Sequence, residues 1–256
     1  MQDALVRVFV LAILLVPVLG AAQDVGVVLM HGKGGRPEGY VGELAAGLRA
    51  KGYLVSTPAM PWAKGRIYDA SFDEAMAQID GEVEALRSKG ARLVVVAGQS
   101  LGANAALGYA ARRRADGIIA LAPAHNPESP VFSQRLGADV ERARALVAAG
   151  KGKEKQAFAE LNQGQTMQVT ATPEVYLSWL DPDGAAVMPK SAAAIKAPTP
   201  LLFIVGSGER NTPARSYIFD KAPPHPKSRY LTVAADHFSV PQAALDEVAT
   251  WLAALR

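Results

Sequence analysis

Short apolar runs alternate with longer amphipathic stretches along most of this chain. Continuous apolar runs are typical of strands buried on both faces of a sheet, and apolar residues three or four positions apart are typical of helices. The predicted strands lie at 25–30, 53–56, 93–97, 117–122, 201–205 and 229–233. The predicted helices lie at 39–51, 71–89, 101–114 and 242–255. This alternation predicts an α/β fold, in which a mostly parallel central sheet carries helices on both faces.

One segment, at about 126–198, breaks this rhythm. It is roughly 70 residues long, whereas a crossover between parallel strands needs about a dozen. Helical patterns at 137–149 and 173–179 lie within it, together with a strong turn signal at Asp181-Pro182-Asp183-Gly184. We therefore expect one domain over 23–256, in which a helical cap insertion overhangs the edge where the strands end.

The first 22 residues differ from the rest of the chain. Arg7 precedes an apolar run at 8–19, and the small residues Gly20-Ala21-Ala22 follow it. The run is shorter than the ~20 residues that span a bilayer, and it has the length of the apolar centre of a secretory signal. We expect a signal peptide at 1–22 that is cleaved near Ala22, which predicts a periplasmic or secreted protein without a stable membrane span. A retained anchor and a buried strand are the alternatives.

Composition excludes several classes of site. The chain has 256 residues and no cysteine, which excludes disulfides and thiol nucleophiles. The formal net charge is only +3, and the one dense basic run, Arg112-Arg113-Arg114, has no aromatic residues among it. No nucleic-acid partner is therefore predicted. The four histidines lie on separate loops without thiols, so no metal or other cofactor is predicted.

The strand at 93–97 runs into the sequence Gly98-Gln99-Ser100-Leu101-Gly102, and a helix follows at once. A serine nucleophile must project from the fold, and a sharp strand-to-helix turn achieves this where flanking glycines relieve the crowding. Ser100 is therefore the candidate nucleophile. The backbone N–H of Leu101, at the start of the helix, is a candidate donor to the oxyanion that forms during acyl transfer.

A base and an acid are expected on later loops at the same edge of the sheet. His237 follows the last predicted strand and is the candidate base, while Glu209 follows the strand at 201–205 and is the candidate acid. Asp236 is a less suitable acid, because it adjoins the histidine in the chain. The second oxyanion donor is expected after the first strand, in His-Gly-Lys-Gly-Gly at 31–35. The N–H of Lys33 is preferred, with Gly32 or Gly34 as alternatives, and a phosphate-cradling role for these glycines is the competing interpretation.

These motifs, HGKGG, GQSLG, GSGERNTP and ADHF, resemble in their order the α/β-hydrolase superfamily of serine hydrolases. The resemblance covers nearly all of 23–256. It implies that Ser100 is the nucleophile, His237 the base and Glu209 the acid, with the amides of Leu101 and Lys33 as the oxyanion hole. It also implies that the insertion at 126–198 is the cap.

One motif departs from the pattern of the superfamily. Many members have Gly-x-x-Asp-x-x-x-Pro in the acid loop. Here Gly206, Glu209 and Pro213 match that spacing with glutamate in place of aspartate. The identity of the acid is therefore less firmly implied than that of the serine.

Aromatic residues near the predicted site are candidates for substrate binding. On the loop at 60–68, Trp62 and Tyr68 could line an acyl pocket, and Arg66 or Lys64 could meet an anionic group. Tyr176 and Trp179 could face the pocket or anchor the insertion to the core. Ordinary packing is the alternative for each of these residues.

The sequence as a whole predicts a serine hydrolase that cleaves a small-molecule carboxylic ester or thioester through an acyl-enzyme. Peptide hydrolysis would use the same residues and stays an alternative. A non-catalytic binding or envelope-assembly protein on the same fold is a second alternative. The oligomeric state is left open.

Overall fold

The apolar runs of the sequence form one parallel sheet of six strands, whose spatial order is β2-β1-β3-β4-β7-β8. The computed structural model describes residues 24–209 and 214–256, so the predicted leader at 1–22 lies outside the described residues. The sheet consists of β1 (Val25–Met30), β2 (Leu54–Ser56), β3 (Leu93–Gln99), β4 (Gly117–Leu121), β7 (Leu201–Gly206) and β8 (Arg229–Val233). Every neighbouring pair is parallel, so all six strands end at one edge.

Helices cover both faces of this sheet, which confirms the predicted fold class. The helices described are α1 (Gly42–Ala50), α2 (Phe72–Ser88), α3 (Leu101–Arg112), α4 (Pro130–Ala148), α5 (Pro173–Leu180), α6 (Met188–Ala193), α7 (Ala214–Tyr217), α8 (Val240–Ala243) and α9 (Leu245–Ala253), with a 3₁₀ turn at Phe219–Lys221. In β1, Val28 and Met30 enter the core beneath α2 and α3, while Val27 and Leu29 enter the core beneath α1 and α9. Strands that are apolar on both faces require helices packed against both faces of the sheet.

Local signals account for the limits of some helices. At the start of α2 the Ser71 hydroxyl accepts from the Glu74 N–H at 3.3 Å, and the Glu74 carboxylate accepts from the Ser71 N–H at 2.7 Å. This reciprocal pair is a capping box. The single helix predicted at 242–255 is divided into α8 and α9, because the backbone at Ala244 (φ −90°, ψ 1°) departs from helical geometry.

The insertion is only partly helical, which corrects the expectation of an all-helical cap. Between α4 and α5 it forms an antiparallel hairpin of β5 (Gln156–Asn162) and β6 (Gln165–Ala171). The two turn residues, Gln163 and Gly164, both have positive φ (53° and 78°), as the tightest hairpin turns require. The strand β5 forms because alternate side chains point inward, among them Phe158 and Glu160, which are fully buried.

Trp179 on α5 anchors the insertion to the main body. Its ring stacks on Tyr68 at 5.4 Å and meets the edges of Trp62 and Phe72 at 5.5 and 5.0 Å between ring centres. Its indole N–H donates to the Ala70 carbonyl at 2.9 Å. Within 24–209 and 214–256, no helix is both long and apolar enough to cross a membrane.

Candidate active site

The turn from β3 to α3 places Ser100 in a strained backbone conformation, with φ 57° and ψ −118°. Two glycines permit this turn. A Cβ on Gly98 would lie 2.2 Å from the carbonyl carbon of Gly102, and a Cβ on Gly102 would lie 2.6 Å from the carbonyl oxygen of Met30. No side chain fits at either position, so the spacing seen in the sequence serves the sharp turn that exposes the serine.

His237 and Glu209 are brought together at the same edge of the sheet. Glu209 follows β7, His237 follows β8, and the imidazole Nδ1 lies 3.2 Å from the Glu209 Oε1. The Gln99 amide donates to the His237 carbonyl at 3.1 Å, which ties the histidine loop to the serine turn. Ser100 and His237 line the same two cavities. Among the described residues no hydrogen bond joins their side chains, and in unliganded enzymes such a bond is commonly long.

Asp236, the alternative acid, is engaged within its own loop. Its carboxylate accepts from the Ser239 hydroxyl at 2.6 Å and from the N–H groups of Ser239 and Phe238 at 2.9 and 3.0 Å. The Ser239 hydroxyl, with these backbone donors, lowers the pKa of Asp236. Glu209, not Asp236, is therefore the carboxylate placed at the imidazole of His237.

The loop after β1 lies directly against the serine turn. A Cβ on Gly32 would lie 3.1 Å from the Cβ of Ser100. The His31 ring holds the loop through both of its nitrogens. Its Nδ1 lies 2.8 Å from the Gly32 carbonyl, and its Nε2 accepts from the Met60 N–H at 3.2 Å. The Trp62 indole donates to the His31 carbonyl at 2.7 Å. Burial lowers the pKa of His31, so the ring stays neutral and keeps this tautomer.

Backbone N–H groups of this loop and of α3 are candidates for the oxyanion hole. Within the described residues, the N–H groups of Lys33 and Leu101 have no acceptor. The N–H of Gly34, one of the alternatives, donates to the Trp62 carbonyl at 2.8 Å and is already occupied. Lys33 and Gly32 therefore remain as sources of the second donor.

Two cavities meet at Ser100. One, of about 240 Å³, extends along the loop after β1 past Gly35 and Tyr40. The other, of about 420 Å³, extends beneath the hairpin turn of the insertion. The apolar residues that line it are Leu101, Ala124, Phe132, Leu161 and Phe238. The site thus has room on both sides of the serine.

The five candidate substrate-binding residues lie elsewhere. Trp62, Tyr68, Tyr176 and Trp179 are at most 2% exposed, and none of them lines either cavity at Ser100. They pack on one another and on the core, which corrects the pocket interpretation and leaves the anchoring one for Tyr176 and Trp179. Arg66 also lies outside both cavities, because it pairs with Asp69 at 2.7 Å.

Sequence reasoning identified Lys33, Ser100, Leu101 and His237 at the larger of these two cavities but missed the residues that the insertion contributes to it. Asn162, Gln163 and Gly164 reach it from the hairpin turn, and Phe132 reaches it from α4. The available signal was the Gln163-Gly164 pair, followed by alternating polar and apolar residues at 165–171. Because this signal was not used, the insertion was expected to be helical, and the hairpin turn was not expected to lie over Ser100.

His125 is a further buried group at this cavity. Its Nε2 lies 2.8 Å from the Trp179 carbonyl. Burial, and after it the nearby Lys33 ammonium, lowers the pKa of His125 to about 3. The ring is therefore neutral at ordinary pH. Among the described residues, no group of three or more histidine, cysteine or acidic side chains could hold a metal ion.

A model of the Alpha/beta hydrolase family matches residues 27–251, and the chain belongs to that family. No curated protein matches it. The monoacylglycerol lipase of Paleococcus ferrophilus superposes with a TM-score of 0.64 at 22% identity, covering 90% of this chain and 95% of that one. A structure of the metagenome-derived lipolytic enzymes LipS and LipT gives 0.61 at 16% identity, covering 90% and 93%. The thioesterase domain from the curacin biosynthetic pathway gives 0.56 at 15% identity, covering 91% and 92%.

Proposed function

We propose that this hydrolase is a serine esterase, which cleaves small carboxylic esters or thioesters through an acyl-enzyme. The observation that carries the proposal is the arrangement of Ser100, His237 and Glu209. The serine stands on a strained turn, the histidine lines the same cavities, and the glutamate lies 3.2 Å from the far side of the imidazole. A serine hydroxyl needs a neighbouring base, and that base needs a third group to orient it.

The reaction proceeds in two steps. As the Ser100 oxygen attacks the ester carbonyl, His237 Nε2 takes the hydroxyl proton and Glu209 stabilises the imidazolium. The oxyanion accepts from the N–H groups of Leu101 and Lys33, and collapse of the intermediate expels the alcohol or thiol with the proton from His237. Water, deprotonated by His237, then attacks the acyl carbonyl. The bond from the carbonyl to the Ser100 oxygen breaks, His237 returns the proton to that oxygen, and the acid is released.

The cavities support a small substrate. We assign the acyl group to the cavity of about 420 Å³, because the apolar residues Leu101, Ala124, Phe132, Leu161 and Phe238 line it. Ligand sites of this kind are mostly apolar with a few polar groups, and they occupy roughly 300–1,000 Å³. The leaving group then occupies the more polar cavity along the loop after β1.

Labelling with a fluorophosphonate tests the nucleophile. The wild-type protein should be labelled, Ser100→Ala should not, and the surface control Ser88→Ala should behave as wild type. An unlabelled wild-type protein would instead indicate a non-catalytic binding or envelope protein.

Hydrolysis of p-nitrophenyl esters of increasing chain length, alongside a peptide amide, then defines the reaction. Ser100→Ala and His237→Ala should each lower turnover by several orders of magnitude, and Glu209→Ala by less. Amide cleavage faster than ester cleavage would favour the peptidase alternative. An unchanged rate in Glu209→Ala would assign the acid role to another residue.

We further propose that the protein is exported, on the basis of the apolar run at 8–19 behind Arg7. Expression of the full chain in a Gram-negative host should yield a periplasmic protein whose first residue is Gln23. An intact N-terminus in the cytoplasmic fraction would reject this proposal, and the membrane fraction would indicate a retained anchor.

A further inference from the structure

Glu160 is a fully buried carboxylate on β5 of the insertion. It accepts three hydrogen bonds: from the Lys33 ammonium at 2.8 Å, from the Tyr68 hydroxyl at 2.5 Å, and from the Leu161 N–H at 2.7 Å. The Lys33 side chain is itself only 6% exposed. The insertion and the loop after β1 are thus joined by a buried ion pair between residues 127 positions apart.

The other contacts of the Lys33 ammonium also come from the insertion. It donates to the Leu161 carbonyl at 3.0 Å and lies 5.6 Å from the centre of the Phe132 ring on α4. The backbone of Lys33, by contrast, belongs to the loop that lies against Ser100. This one residue therefore connects the insertion to the candidate oxyanion hole.

Both members of the pair are charged. Burial alone raises the pKa of Glu160, but the Lys33 ammonium, with a smaller contribution from the Tyr68 hydroxyl, outweighs it and leaves the pKa of Glu160 below its usual value. Removing two charges from water is costly, and a buried ion pair is weak evidence of a gain in stability. A role in fixing geometry accounts better for its position.

Lys33 is the only residue with a side chain in the stretch Gly32–Gly35. The glycines around it carry no side chains, so the rest of the stretch is held by backbone hydrogen bonds at the Gly32 carbonyl and the Gly34 N–H, and Gly34 has a φ of 67°. Within this stretch, the insertion can therefore make side-chain contacts only with Lys33. Its anchoring restricts the direction in which the Lys33 N–H points.

We propose that Glu160 is a positioning residue, which acts through the Lys33 side chain to aim the Lys33 N–H at the oxyanion. This inference rests on the proposed esterase function. The insertion then contributes to catalysis as well as covering the site, because the hairpin holds the side chain of the residue that carries the second oxyanion donor.

Three variants test the proposal: Lys33→Met, Glu160→Gln and the double variant, which removes both charges and leaves no buried unpaired ion. Each is assayed for kcat and KM with a p-nitrophenyl ester, and for inhibition by a trifluoromethyl ketone of matching chain length. Such a ketone forms an oxyanion adduct with the serine, so its affinity reports on the hole itself. The control is Lys190→Met, which removes an exposed ion pair with Asp183 in the same insertion.

We expect kcat to fall by about ten- to a hundredfold in all three variants, less than the loss of a complete donor, which costs about 10²–10³. KM should change by less than about twofold, and the ketone should bind more weakly by the same factor as kcat falls. The Lys190 control should match wild type.

The proposal is overturned if the folded double variant, verified by circular dichroism, keeps its kcat and ketone affinity. It is also overturned if KM rises while kcat is unchanged, since Lys33 would then bind substrate. A wild-type protein that is neither labelled nor active rejects the esterase proposal, whereas an active wild type with unaffected variants rejects only the role of Glu160.

Discussion

His125 should make the folded protein lose stability as the pH falls below 6.5. Its pKa is lowered from 6.5 to about 3 by burial and, next, by the Lys33 ammonium, while the charge on Glu160 and the bond to the Trp179 carbonyl oppose this shift. At pH 5 the folded protein therefore keeps the ring neutral. The unfolded chain protonates the same ring, because there the imidazole is solvated.

The size of the effect follows from this difference. A group whose pKa is lower in the folded state binds its proton first in the unfolded state, so its contribution to stability is complete above 6.5 and declines between 6.5 and about 3. Each pH unit within that window costs about 1.4 kcal/mol. At pH 5, about 1.5 units below the upper end of this window, His125 should lower the free energy of unfolding by about 2 kcal/mol.

Urea unfolding at pH 7 and pH 5 measures this loss. His125→Asn is the suitable variant, since asparagine tolerates the positive φ of 79° at this position. Between pH 7 and pH 5 the free energy of unfolding should fall in both proteins, but by about 2 kcal/mol less in the variant than in wild type. Contributions from His31 and the carboxylates are present in both proteins and cancel in the comparison. The control His225→Asn removes a partly exposed loop histidine and should keep the wild-type loss. Equal losses in wild type and His125→Asn would refute the reasoning.

Three further predictions concern stability. Gly98→Ala should lower the free energy of unfolding by about 1–3 kcal/mol and suppress ester hydrolysis, because its Cβ would meet the Gly102 backbone. Gly81→Ala on α2, where a Cβ meets nothing within 4 Å, should instead raise it by about 0.5–1 kcal/mol in the same urea titration. Trp179→Ala should cost about 3–5 kcal/mol and Trp179→Phe less. A calorimetric loss below about 1 kcal/mol in Trp179→Ala would contradict its anchoring role.

The sheet and the serine turn could be predicted because they depend on neighbouring residues. β1 and β8 begin and end where their apolar patterns do. At the turn, Gly98 and Gly102 are needed because each faces the backbone of another segment at less than 3 Å from where a Cβ would be. Any sequence that forms such a turn needs glycine at these two positions, so the spacing can be recognised from the sequence alone.

The hairpin could not be predicted in the same way. Phe158 and Glu160 both face inward from β5, but the glutamate interrupts the apolar alternation that indicates a strand. Its burial depends on Lys33 and Tyr68, which lie far away in the chain. A polar residue whose partners come from another part of the fold carries no local sign that it belongs to the core.

The aromatic residues posed a similar problem. A tryptophan that lines a pocket and one that packs in a core have the same appearance in a sequence. Trp62 and Tyr68 are covered because Trp179 arrives from the insertion and fills the space beside them.

The insertion leaves the sheet after β4 and returns at β7, and these two strands are direct neighbours, with Ile118 opposite Leu201. Because the two strands are parallel, the segment leaves at the edge of the sheet that holds Ser100 and returns at the opposite edge. A different segment that makes the same crossover could therefore replace it without shifting any strand. The ion pair between Glu160 and Lys33 is the contact that such a replacement would have to supply again, because it joins the insertion to the loop beside Ser100.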